Sequence, residues 1–195
     1  MSANPRTCVA CGEKEITDPE ILEMLGPTDG EPWLDKFGHC EECRKKRKRA
    51  EELHPYLGKS LDELLNERDP LDAANNIVKK IEAKELDEWP HVSSWPLTLH
   101  EQAFEQIYRM MMAIKSTGLC RHFDAHGCWF SAISSLKMAG FTRAYALLYS
   151  GNKWINPGEV EDDVYEAIDV HKLLDFARDN AEMFLTLDQR LENFA

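Results

Sequence analysis

The chain has 195 residues with 23 basic and 35 acidic side chains, for a formal charge of −12. That length holds a small module plus one medium domain. The charge is uneven: residues 1 to 49 carry 9 basic and 10 acidic groups, and residues 50 to 195 carry 14 and 25. Most of the surface should therefore repel nucleic acid, leaving any phosphate contact to a confined region. No apolar run approaches the roughly 20 residues needed to span a bilayer, and the start, Met1-Ser2-Ala3-Asn4-Pro5, lacks a signal-peptide core. A cytoplasmic protein is expected, with nuclear entry open to it in a nucleated cell.

The first motif along the chain is Cys8-Val9-Ala10-Cys11-Gly12, and a second Cys-x-x-Cys pair follows at Cys40 and Cys43. Two residues between cysteines let both sulfurs reach one ion about 2.3 Å away, and two such pairs complete a tetrahedron. One structural Zn2+ on Cys8, Cys11, Cys40 and Cys43 is the expected cofactor. The first pair reads as a knuckle, with Gly12 supplying an unusual backbone angle. Between the pairs, Asp18 as N-cap, Pro19 and Gly26 mark a short helix carrying Ile21, Leu22 and Leu25. Trp33, Leu34 and Phe37 then offer a small apolar cluster.

Directly after Cys43 come six basic residues, Arg44, Lys45, Lys46, Arg47, Lys48 and Arg49, in a segment of helix formers that runs to Leu53 before Pro55. Six successive charges on a helix point all round it, so they can grip backbone phosphates without reading bases. The alternatives are an acidic protein partner, a nuclear import signal or a solvated helix face. Glu41, Glu42, Glu51 and Glu52 bracket the run, and no aromatic is interleaved for stacking.

Residues 8 to about 53 resemble treble-clef and zinc-ribbon modules, in which a knuckle gives two ligands and the second pair sits in a turn or at a helix start. The resemblance implies a metal and a shape, and such modules serve as nucleic-acid binders, parts of the transcription and translation machinery, or protein adaptors. The long helical insertion between the pairs departs from the pattern.

Further along, Ser60 with Glu63 forms a capping box, Asp69-Pro70 starts a helix with Leu71, Ala74, Val78 and Ile81 on one face, and Thr98 with Glu101 opens a third. Trp89 to Pro96 contains two Trp-Pro steps and reads as a hinge. Beyond it Leu99, Ala103, Phe104, Ile107, Met111 and Ile114 recur at helical spacing, and residues 128 to 139, 142 to 150 and 159 to 190 continue in the same vein. Of Met110, Met111 and Met112, at least one should be exposed. The expected fold is mainly α: a zinc-stapled module over 1–55, a helical connector over 56–96 and an acidic all-α bundle over 97–195.

Two other constellations invite chemistry. Cys120, His122, Asp124, His126 and Cys128 fall at every second position, so a second metal site on Cys120, His122, His126 and Cys128 stands against a plain reading of buried cysteines and surface histidines. The segment Gly127 to Leu136 resembles the nucleophile helix of papain-like and calpain-like cysteine proteases, which implies a Cys128 nucleophile with His171 and Asn156 as downstream partners, in the reverse of that family's order. His171 also sits on the stripe Val160, Val164, Ile168, Leu174, which favours a hydrogen-bonded core histidine. The acidic start Glu159, Glu161, Asp162, Asp163 is explained by the helix dipole.

Together these features point to a zinc-binding regulator or adaptor that binds a nucleic-acid-handling protein complex, as a virus-encoded or accessory factor would. No catalytic residues, small-molecule substrate or membrane contact are expected in that reading. The alternative is an enzyme centred on Cys128.

Overall fold

The computed structural model describes residues 7–13, 34, 38–87, 97–119, 129–150, 153–154 and 157–184. Within them lie eight α-helices: α1 (Glu41–Leu53), α2 (Leu61–Leu65), α3 (Pro70–Asp87), α4 (Leu99–Ser116), α5 (Trp129–Met138), α6 (Thr142–Leu148), α7 (Pro157–Ala167) and α8 (Val170–Asp179). A two-residue antiparallel hairpin pairs Tyr149 with Trp154 and Ser150 with Lys153. The protein is mainly helical, with a cysteine cluster near its start. None of the described helices is long and apolar enough to cross a membrane.

Local sequence explains the helix starts. Ser60 Oγ accepts the Glu63 amide at 3.2 Å while the Glu63 carboxylate accepts the Ser60 amide at 2.6 Å. Thr98 and Glu101 form the same reciprocal pair at 3.1 and 3.0 Å. Asp69 Oδ1 accepts the Leu71 amide at 2.7 Å, so Pro70 can open α3 without a missing bond. Each cap satisfies donors that a helix start leaves orphaned.

The long helices α3 and α4 lie at the centre. Helix α3 packs against α1, α2, α4 and α8, and α4 packs most extensively on α5. Their facing sides bury Ala74, Ile77, Val78 and Ile81 from α3 and Ala103, Phe104, Ile107, Met110 and Met111 from α4. Met112, 39 % exposed, takes the surface position expected within the methionine triplet.

Several sequence expectations fail here. Leu99 is 71 % exposed, because as the first residue of α4 it precedes the turn that faces the core. The stretch expected over 159 to 190 is broken within its described part: α7 ends at Ala167, Asp169 caps α8 by accepting the His171 amide at 2.9 Å, and the stripe restarts with a new phase, while 185–190 lie outside the described residues. His171 is consequently exposed in the first turn of α8, not a core histidine. Glu161 does more than answer the helix dipole, since its carboxylate accepts the Leu119 amide at 3.0 Å and ties α7 to the end of α4.

The core also holds charge. Lys84 and Glu101 form a buried ion pair with side chains 3 % and 0 % exposed. Glu101 uses both oxygens: one faces Lys84, the other accepts the Thr98 amide. One turn back on α3, Lys80 donates to the carbonyls of Leu57 and Lys59. Removing one partner of such a pair strands the other charge, at a cost of about 3–5 kcal/mol. Glu101→Gln or Lys84→Met should each lower stability in chemical denaturation by that order, with Lys84→Met/Glu101→Leu costing less than the two single changes added together.

Near this pair, burial and the neighbouring Glu105 carboxylate push Glu85 up to about 7. An unfolded glutamate ionises near pH 4.3, so the folded state holds its proton more tightly. This contribution to stability is complete below about pH 4.3 and is lost as pH rises through 7. Part of Glu85 still reaches solvent, which reduces the effect to about 1 kcal/mol or less. Glu85→Gln should raise the Tm by at most about 4 °C at pH 8 and leave it unchanged near pH 4.

Candidate metal centre

Cys8 and Cys11 are held in a tight knuckle. The Cys8 amide donates to the Glu13 carbonyl at 2.8 Å and the Gly12 amide to the Cys8 carbonyl at 3.0 Å, with Gly12 at the positive φ of 75° that a side chain would strain. A second strap joins this turn to the later pair: Val9 donates to the Gly38 carbonyl at 3.0 Å. Gly38 has φ 81°, and a Cβ there would meet Val9 Cγ1 at 3.1 Å. Cys40 is the N-cap of α1 and Cys43 lies in its first turn. Helix geometry therefore presents both sulfurs to the knuckle.

The four ligand sulfurs all lie within 4.8 Å of one another. Cys8 Sγ is 3.7 Å from Cys43 Sγ, and Cys11 Sγ is 3.8 Å from Cys40 Sγ. A tetrahedron with metal–sulfur distances near 2.3 Å has edges of about 3.8 Å, so the donors fit one thiolate-bound ion and stand too far apart for disulfides. Such a set is compatible with Zn2+. All four corners are protein ligands, so the ion would be structural, with no corner left for a substrate.

The surroundings prepare the sulfurs for that charge. The Cys40 amide donates to Cys8 Sγ at 3.3 Å. Burial pushes the Cys8 thiol up, but the amides of Cys11, Cys40 and Ala10 outweigh it and hold it down to about 6. Burial and the neighbouring Cys40, Cys11 and Cys8 sulfurs push the Cys43 thiol well above its usual range, a burden that an ion would remove. Cys8, Cys40 and Cys43 are buried against Ala10 and Leu34, while Cys11 is exposed. Glu13 was not legible as part of the site, although its carboxylate sits 4.0 Å from Cys40 Sγ.

The basic run occupies α1 as expected, but its members differ. Lys45 is 2.7 Å from Glu41 and 3.6 Å from Glu42. Arg47 approaches Glu51 at 3.9 Å and His39 at 3.4 Å. Arg49 leaves the run altogether: it makes a two-pronged contact with Glu82 on α3, at 2.7 and 2.8 Å. That contact holds the Glu82 carboxyl below the usual carboxylate range. Lys46 and Lys48 are exposed. No spacing in the sequence signals the Arg49 contact, because its partner lies 33 residues away.

Cys120, His122, Asp124, His126, Cys128 and Asn156 lie outside the described residues, as do the helix expected at 18–26, Trp33, Phe37 and the Trp-Pro segment. Among the described residues the four cysteines are the group placed to hold a metal. No family model matches the chain, and neither does any curated protein or solved structure.

The metal carries its own test. Purified protein should contain one ion per chain, and Cys43→Ser should lower both metal content and the Tm more than Cys11→Ser, because Cys43 is buried. Inductively coupled plasma mass spectrometry with thermal melts reads both, and an equal stoichiometry in parent and variants would refute the assignment.

Proposed function

We propose that the protein is a zinc-stapled adaptor that docks on a nucleic-acid-handling assembly, using α1 to touch phosphates and the acidic helical part to bind protein. The observation that carries this reading is the placement of Cys40 and Cys43 in the start of α1. The ion is thereby fastened to a helix carrying six consecutive cations, and zinc is the ion that best suits four thiolates in a closed tetrahedron. The metal module over 1–55 has the anchoring role, and the acidic part supplies partner specificity.

The pairing along α1 refines which cations would act. Arg44, Lys45, Lys46, Arg47 and Lys48 are the contact residues. Arg49 is excluded by its grip on Glu82. Phosphate contacts release counterions, so affinity should fall with salt by a logarithmic slope of about 0.7–0.9 per phosphate neutralised.

Fluorescence anisotropy with single-stranded and duplex oligonucleotides tests this. Changing residues 44 to 48 to Gln should abolish binding, whereas Arg49→Gln should leave the salt slope unaltered. Salt-independent or absent binding by the parent protein would exclude the nucleic-acid contact and leave an adaptor that meets only protein, which affinity capture from the native host would then identify.

A further inference from the structure

Helix α1 links the cysteine cluster to the helical body. Its N-cap Cys40 and first-turn Cys43 belong to the cluster, the helix packs against α3, and its last residue, Leu53, is buried with 1 % of its surface exposed. Thirteen helical residues make a rod about 20 Å long.

The far end of that rod is held by one stretch of α3. Glu82 takes Arg49 with both oxygens. Lys80 takes the Leu57 and Lys59 carbonyls, and Lys79 donates to the Tyr56 hydroxyl at 3.3 Å. Lys84, one turn beyond Lys80, makes the buried pair with Glu101. Glu101 accepts from Thr98, whose hydroxyl donates to the Met183 carbonyl at 2.9 Å. A continuous series of directional contacts therefore runs from the cysteines to the end of the described chain.

The near end is conditional. Among the described residues, the module's buried apolar groups are Cys8, Cys40 and Cys43, with only Ala10 and Leu34 packed against them. Binding an ion at four thiolates is coupled to ordering the chain that carries them, which makes the module an element with two states, ordered when loaded and loose when stripped.

We propose that α1 transmits metal occupancy to the helical body, so that loss of the ion loosens the Arg49–Glu82 clamp and with it α3. This inference rests on the metal assignment but not on nucleic-acid binding. The ion is then a regulator of the body as well as a staple of the module. Linkage requires the converse: if the ion tightens the clamp, the clamp must tighten the ion by the same factor.

The decisive measurement is zinc affinity of the full chain, by competition with a chromophoric chelator. Coupling free energies correspond to factors of about 5 to 150. Glu82→Gln, remote from every cysteine in sequence, should weaken zinc binding at least about fivefold, and Arg49→Gln should do the same with no further loss in the double variant. Leu148→Ala, which removes a buried side chain from α6, a helix that packs on α5 and α7, should leave zinc affinity within about twofold although it destabilises the body. Zinc affinity unchanged by Glu82→Gln would overturn the coupling, as would an equal loss in Leu148→Ala.

Should Glu82→Gln not fold, hydrogen exchange of the parent protein decides. Chelation should speed exchange in residues 70–87 as well as in 38–53, and a response confined to 38–53 would overturn the proposal. A parent chain that binds no zinc at all fails the metal assignment instead, so the two failures are distinguishable.

Discussion

The buried pair between Lys84 and Glu101 fixes how the two central helices meet. Apolar contact alone is non-directional and would let α3 and α4 slide or rotate against one another at small cost. Glu101 removes that freedom because its two oxygens serve different masters. One closes the capping box that starts α4, and the other faces the ammonium of Lys84 near the end of α3. The start of α4 is therefore set at the level of the last turns of α3. Burying two charges is costly in itself, and the pair stabilises this arrangement chiefly by making every other register worse.

The same logic extends along α3. Lys80 and Lys84 are four residues apart and therefore share a face, and both bury their side chains. Burial and the nearby Lys84 ammonium hold Lys80 down to about 8. Its two carbonyl acceptors, Leu57 and Lys59, are the backbone groups just past the short 3-10 turn after α1. A lysine inside the protein thus supplies donors that the turn between α1 and α2 would otherwise take from water. Polar side chains of α3 fasten α1 through Glu82, the turn before α2 through Lys80, and α4 through Lys84.

How much of this was legible follows from the range of each interaction. The caps at Ser60, Asp69 and Thr98 involve residues within three positions, so sequence spacing reveals them directly. The two Cys-x-x-Cys pairs are equally local, and the tetrahedral demand of an ion joins them without knowledge of the chain between. Lys80 and Lys84 were illegible because a lysine in a helix ordinarily marks the solvent side, and only partners brought in from 17 and 21 residues away turn them inward. His171 misled for a different reason. The apolar spacing from Val160 to Ile168 continues numerically to Leu174, but Asp169 interrupts the helix and resets the phase, so the histidine lands on the exposed side of a new helix.

The run of six cations is the feature whose meaning changes most when contacts replace spacing. A four-thiolate site loaded with a divalent ion carries two formal negative charges, and it sits at the positive end of α1. Cations in the following turns add to that favourable field. Lys45 is drawn to Glu41 and Glu42, Arg47 to Glu51 and His39, and Arg49 to Glu82, so at least half of the run answers groups within the protein. Lys46 and Lys48 are two residues apart, about 200° around the helix, and therefore cannot face one phosphate together. A polyanion meeting α1 would encounter a weak, divided field on a chain of net charge −12, and would have to displace Glu41 or Glu51 to strengthen it. Any grip on phosphate is thus confined by competition with these acids, and the helix serves the fold before it serves a ligand.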